Sequence, residues 1–396
     1  MTPPSPPPRW PLPRAFALPA AATALLRWPL PRALALPAAA TALLAATGCT
    51  PAQDYDAKPV LDDLVHVVIL PTLETSATRS ADLSTAAKSL SDAPTEASLT
   101  AAQDAWRSAR EPWRNADGFA FGPVETNDFG ASIDWNPAKP EIIEEKIAAG
   151  TSIDSAYIDS LGTSAKGFMA LEYLLFDPTG DNAAVVTSLT GDPAASRRAY
   201  LAALAENLAG KTATLETAWA EDGGNFAAEV TGAGDTSKTF ISGKAAIDEL
   251  VNQMVFHADA LLNTRIAKPA GKLDGGTPVP DAEESPRSDN SLADMLSSLA
   301  GIQNIYDGTF SGADGLGISD LVRAKNPDLD DRVHKAFADA KAKIEAIPPP
   351  FRTAVTDHPA DVDAAYESAL TLKRTLATEV VGVLGATLRF NDADGD

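Results

Sequence analysis

An all-α fold, two packed helical bundles of about four helices each in up-and-down order, is what this 396-residue sequence predicts. Three observations carry that expectation. Apolar residues recur at three- and four-residue spacing along almost the whole chain, and strict alternation is scarce. Alanine-rich helical patterns also lie on both sides of a Gly/Asp/Thr-rich interruption, Glu221 to Ser237. The chain divides accordingly into a leader (1–48), a tether (49–57), an N-terminal bundle (58–222) with a long loop at 114–140, a C-terminal bundle (236–390) and an acidic tail (391–396).

The leader carries Arg9, Arg14, Arg27 and Arg32, no acidic residue, and long Ala/Leu runs. Residues 9–26 recur at 27–44, with Phe16 becoming Leu34 as the only change. Each copy is a basic start followed by an apolar run of about a dozen residues, the size of a signal-peptide core and short for a bilayer span. The second copy runs into Leu44-Ala45-Ala46-Thr47-Gly48-Cys49, which resembles the lipobox of bacterial lipoproteins. Cleavage there makes Cys49 the mature N-terminus and its lipids the membrane anchor, on the periplasmic or extracellular face of a bacterial envelope. Because Cys49 is the one cysteine, a lipidated mature chain has no disulfide, thiolate metal site or thiol nucleophile. The formal net charge of −22 repels nucleic acid and anionic lipid, so neither DNA nor RNA is an expected partner.

After the tether, Val60 to Leu70 is apolar, and residues 94–111 place Leu99, Ala102, Trp106, Ala109 and Arg110 on one side behind Pro94. Residues 141–148, 165–176 and 192–220 continue the helical pattern, the last behind the start signal Asp192-Pro193. Beyond the interruption come four runs, at about 238–266, 290–306, 327–346 and 359–386. A Pro/Gly-rich acidic loop, Lys268 to Asp289, separates the first two, and Pro348-Pro349-Pro350 ends the third, since proline cannot continue a helix.

The helix at 165–176 is the most informative. Phe168, Leu171, Glu172 and Leu175 share one face, Met169 and Phe176 flank the glutamate, and Ala170 and Leu174 cover most of the rest. A segment apolar nearly all round is buried, so Glu172 sits where a carboxylate is costly unless a cation, a metal or a proton satisfies it. A structural carboxylate paired with a buried arginine is the plain alternative.

Several segments together resemble the imelysin family of helical bacterial envelope proteins: residues 105–125, 167–176, 284–308, 315–322 and 382–396, in that order across the mature chain. Residues 167–176, GFMALEYLLF, are similar to the family's Gly-x-His-x-x-Glu helix. The resemblance implies two helical bundles side by side, kinship with the helical domain of periplasmic iron-uptake proteins, a connection to iron acquisition, and a founding activity described as a metallopeptidase. Gly167 and Glu172 match the motif, but Met169 stands at its histidine. A His and a Glu three residues apart on a helix grip one ion from the same side, whereas a thioether suits Cu(I) better than Zn²⁺ or Fe³⁺. That departure argues against carrying peptidase chemistry over.

Of the four histidines, His66, His257, His334 and His358, only His257 stands in a suggestive pattern, with Asp248, Asn252 and Gln253 at helical spacing. It is the candidate to replace the missing ligand, beside Glu172 and Met169. Arg110 lies between Trp106 and Trp113 on one helix face and is the candidate partner for Glu172 or for an anionic ligand. Glu125 and Asp134, in the long loop, could add oxygen ligands for a hard cation. Ser288 lies in a serine-rich turn where Glu284, Ser285, Asp289 and Ser291 also stand; helix capping explains these, and the resemblance brings the turn to the bundle interface. The tail lacks the distal glutamate of a calcium loop, and neither a phosphate-binding glycine loop nor a serine nucleophile elbow is present.

The expectation is an imelysin-like envelope lipoprotein with a non-catalytic binding or accessory role in acquiring iron or another divalent metal, acting in the inter-bundle cleft. Its partners are the membrane, through the lipid, and envelope metal-uptake proteins. A metallopeptidase that recruits His257, and a scaffold with a degenerate site, are the alternatives.

Overall fold

The computed structural model describes residues 55–149, 152–191, 194–273 and 275–389; helices stand at the runs read from the spacing, and Leu70–Asp92 is a further long helix that the spacing did not mark. The leader with its duplication, Cys49, the Asp192-Pro193 start signal and the acidic tail lie outside the described residues.

The first bundle is built from α1 (Leu70–Asp92), α2 (Glu96–Asn115), α3 (Gly167–Leu175) and α4 (Ala195–Trp219). The second holds α5 (Gly243–Asp259), α6 (Ser291–Asp307), α7 (Pro327–Glu345) and α8 (Pro359–Arg374). Helix α1 packs against α2 and α4, and α3 lies between α2 and α4; in the second bundle α7 packs on α6 and α8. The described residues of both bundles belong to one compact unit. Among these residues the only strands are a two-residue hairpin pair, Thr309–Phe310 with Ala313–Asp314.

Local chemistry explains the boundaries. Thr95 caps α2 by accepting from the Ser98 amide while the Ser98 hydroxyl accepts from the Thr95 amide, a reciprocal capping box. Leu99, Ala102, Trp106 and Ala109 then form its buried stripe. Ser242 and Asn326 cap α5 and α7 by accepting from the Ala245 and Leu329 amides, with Pro327 in the first turn of α7. The expected loop at 114–140 is not structureless. It contains a 3-10 turn, Ala116–Phe119, and two short helices, Pro123–Thr126 and Phe129–Ile133.

The seam between bundles is a close backbone approach. Helix α6 packs on α2 and on the Ala116–Phe119 turn. A Cβ at Gly118 would run into the Gly301 carbonyl, and one at Gly301 into the Asn115 carbonyl. Two glycines therefore bring the end of α2 directly against the middle of α6, and the charged residues on either side are carried into a dry interface.

Candidate functional site

Helix α2 delivers Arg110 and Arg114 to that seam on the same face as its tryptophans, and the turn after it delivers Asp117. Helix α6 delivers Asp294 and Ser298, one helical turn apart. Arg265 comes from the π-helical extension of α5, Ala260–Ala267. All of these side chains are buried.

The Arg110 guanidinium is fully enclosed. Its Nε and Nη2 donate to Asp294 Oδ1 and Oδ2 at 3.1 and 3.2 Å, a two-pronged pair, while Nη1 reaches Asp134 at 2.6 Å and Nη2 also reaches Glu284 at 3.1 Å. Arg114 contacts Asp134, lies 3.2 Å from Glu284, and sits 3.5 Å from Asp117. Arg265 donates to Glu284 at 2.6 Å, Asp117 at 2.9 Å and the Ser298 hydroxyl at 2.8 Å. Three guanidinium groups and four carboxylates thus pair with one another out of water. Burial alone would disfavour every charge here, and the partners reverse it where they are close. Burial pushes Asp117 up, but Arg114 and Arg265 outweigh it and hold the carboxyl well below its usual range. Burial likewise works against the charge on Arg110, and Asp294 and Glu284 more than restore it. Removing an arginine would leave buried carboxylates short of a partner, most of all Asp294, whose one arginine is Arg110, so the layer locks the bundles together.

Glu172 joins this layer at its edge and is bound differently. Its Oε1 accepts from the Ser288 amide at 2.9 Å, the Arg287 amide at 3.1 Å and the Ser288 hydroxyl at 2.7 Å. Burial pushes its carboxyl up, and those three donors pull against it. Gly167 explains why α3 sits where it does. It has φ +76°, and a Cβ there would strike the Ile133 carbonyl. The motif glycine is thus a backbone requirement, and the motif glutamate one turn later holds the 287–288 turn.

The structure brings some expected residues together and corrects the role of others. Glu172 and Ser288 meet where the bundles adjoin, a pairing the sequence did not suggest. Arg110 lies over Trp106 and Phe168, at 5.6 and 5.2 Å, rather than between two indoles, because Trp113 turns its Nε1 to Asp134 at 3.0 Å. Its direct partners are Asp294, Asp134 and Glu284, not Glu172. Asp134 is occupied by two arginines and an indole, so no lone pair is held open for a hard cation. Glu125 stands exposed, beside Ala120, His257 and Arg389 at an open pocket, and belongs to none of the ion pairs of the layer. His257 lies beside Asp117, with Nδ1 3.7 Å from Oδ1, and neither ring nitrogen has a hydrogen-bond partner. Met169 is buried at 3% exposure in the α3 core. The serine turn does not cap α6. Asn290 occupies the cap position without accepting from a helix amide; its Nδ2 donates instead to Asp294 Oδ1 at 3.0 Å, Ser285 donates to Asp294 at 2.5 Å, and Ser291 accepts from the Ser285 amide at 3.0 Å.

A metal fits this donor set poorly. Among the described residues no group of three or more His, Cys, Asp or Glu is placed to hold an ion, and the bound oxygen of Glu172 already accepts three hydrogen bonds. Sequence reasoning missed Arg114, Asp117, Arg265 and Ser298. One signal was present: Asn290, Asp294 and Ser298 form a polar i, i+4, i+8 stripe along one side of the helix.

Known proteins agree with this architecture. The family model for imelysin (peptidase M75) matches residues 69–378. Iron-regulated protein A of Synechococcus elongatus is 30% identical over 312 residues, covering 78% of this chain and 80% of the relative. Among solved structures, an iron-regulated protein A precursor from Parabacteroides distasonis superposes with TM-score 0.72 at 24% identity, over 85% of this chain and 96% of that one. An imelysin-like protein from Psychrobacter arcticum gives TM-score 0.67 at 17% identity, over 85% and 99%. With the matched region spanning most of both bundles, this chain belongs to the imelysin family.

Proposed function

We propose that this chain is a lipid-anchored protein of the bacterial envelope, tethered through Cys49, with a non-catalytic, accessory role in iron acquisition exercised at the cleft between its bundles. The iron connection is supported by the name of the Synechococcus relative, and the anchor by the lipobox-like sequence. The observation that carries the non-catalytic part is the state of the motif helix. Met169 replaces the family histidine, and Glu172 is engaged by the 287–288 turn, so α3 offers a clamp rather than two open ligands for a metal-bound water. The ion is then handled in a form that brings its own ligands, or is passed on by an envelope uptake partner.

A strain lacking the chain tests this in one experiment. Radioactive iron uptake under iron limitation falls in the deletion strain and returns with the wild-type gene. The Cys49→Ala protein leaves the membrane fraction and restores uptake poorly. Uptake unchanged by the deletion would overturn the iron role. Chelator-sensitive peptide cleavage by the purified protein would replace this reading with the metallopeptidase.

A further inference from the structure

A short turn on the flank of the seam carries a carboxyl group that its surroundings leave unmatched. The 3-10 turn Pro280–Ala282 packs on the short helix Phe351–Asp357. Glu283, the next residue, has a fully enclosed side chain. We propose that this turn is a proton-operated latch, seated while Glu283 is protonated and released towards the neighbouring pocket as Glu283 becomes charged. The inference does not rest on the iron role.

The seated position is poorly built for a carboxylate. Neither oxygen of Glu283 has a hydrogen bond, whereas Glu172, also buried, is held by three donors. The one ion-pair partner is Arg352, whose Nε stands 3.3 Å from Oε1; its side chain is 24% exposed and is shared with Asp281 at 3.4 Å. Burial is the largest influence on the group and raises it to about 7. The Ser291 hydroxyl of α6 and Arg352 favour the charge, while Asp289 and Glu172 of α3 oppose it. A neutral acid suits such a place better than an anion does.

A better place for the anion lies alongside. A pocket of about 220 Å³ is lined by Asp281 and Glu283 of the turn segment, by Asn136 and Pro137, and by Arg265 and Lys268. Arg265 is already committed to Glu284, Asp117 and Ser298. Lys268 is exposed and has no ion-pair partner among the described residues, so water and an ammonium group are both within the turn's surroundings. Downstream the chain cannot follow, because Glu284 is bound by three arginines and Ser285 by Asp294. The movement is therefore confined to residues 280–283 and pivots at Glu284. It alters how solvent reaches Glu284 and Arg265, which line the same pocket.

Hydrogen–deuterium exchange of the protein over pH 5–8, read on the amides of residues 281–284, tests the latch against Glu283→Gln at each pH. Dividing by the variant cancels the chemical pH dependence of exchange. The seated carboxyl keeps its proton up to about pH 7, and an ordinary one loses it near 4.5. Between those values opening of the wild type should rise by up to about tenfold per pH unit relative to the variant, then level off. The Glu283 Cδ chemical shift, followed by NMR in the wild type, should titrate near pH 7, a measurement that needs no variant. A wild-type to variant ratio constant over the range would overturn the proposal. So would a Cδ titration in the ordinary carboxylate range, or an exchange change spread equally over α2 and α6.

Discussion

The layer around Arg110 and the pocket beside His257 flank the same 3-10 turn and are built from the same residue types, yet one is closed chemistry and the other open. In the layer, every guanidinium named above meets carboxylates from at least two segments, and Glu172 is met by two amides and a hydroxyl. In the pocket, Glu125 faces solvent without a partner and His257 is buried without one. Paired polar groups in a dry seam serve cohesion, because separating them exposes charges that nothing else can satisfy. An unpaired, exposed carboxylate such as Glu125 adds nothing to that cohesion, and the unpartnered imidazole of His257 works against it.

The largest break in that contrast comes from Arg110. Arg110→Ala leaves Asp294 inside the seam without a cation and takes one of their partners from Asp134 and Glu284, and it should cost about 3–5 kcal/mol, read as a lower midpoint in urea unfolding. A loss as small as that of a surface substitution would mean that the layer is not a lock.

The next effect concerns pH, where two buried groups on opposite margins of the layer act with opposite signs. His257 falls to about 4 in the folded chain, so between roughly pH 6.5 and 4 the unfolded chain binds the extra proton and stability drops as pH falls. Burial raises Glu283 to about 7, with Ser291 and Arg352 only partly opposing it. Between roughly pH 4.5 and 7 the folded chain holds that proton, and stability drops as pH rises. Each swing is worth about 3 kcal/mol at most, and together they flatten the wild-type profile across pH 4.5–6.5. His257→Gln should uncover the loss towards neutral pH, and Glu283→Gln the loss towards acid. Thermal melts of the three proteins over that range check both signs, and unchanged profiles in both variants would refute the pairing.

A smaller change sharpens the comparison at Glu172. Glu172→Gln keeps an oxygen facing Arg287 and Ser288 and loses only the charge, so about 1 kcal/mol of stability should go. Smallest of all, Glu125→Gln, exposed and without an ion-pair partner among the described residues, should alter stability by less than about 0.5 kcal/mol. A destabilisation like that of Arg110→Ala would merge the two regions into one.

The helices were legible wherever a buried apolar stripe repeated on a helical period, as in α2, with Leu99, Ala102, Trp106 and Ala109. Most of α1 was not. Its inner face carries Thr72, Ser76 and Ser80, buried at 0, 2 and 0% exposure, which interrupt the apolar stripe; Thr72 turns its hydroxyl back to the Val68 carbonyl at 2.7 Å. Pro71 also reads as a breaker, although it occupies the first turn of that helix after the π-helical stretch Leu64–Ile69. Burial of Glu172 followed from its neighbours, but its partners did not. Two are backbone amides more than a hundred residues downstream, and an amide leaves no trace in side-chain pattern. Arg110 posed the same difficulty, since its three carboxylates come from three separate segments of the chain.

Thermal unfolding of wild type and Glu172→Gln, each with and without Fe²⁺, Fe³⁺ or Zn²⁺, tests most directly whether the motif carboxylate is a clamp. The clamp predicts that none of the ions moves either melting temperature, and that the variant melts slightly lower in every condition. An ion that raises the wild-type melting temperature and loses that effect in Glu172→Gln would make Glu172 a metal ligand and contradict the account.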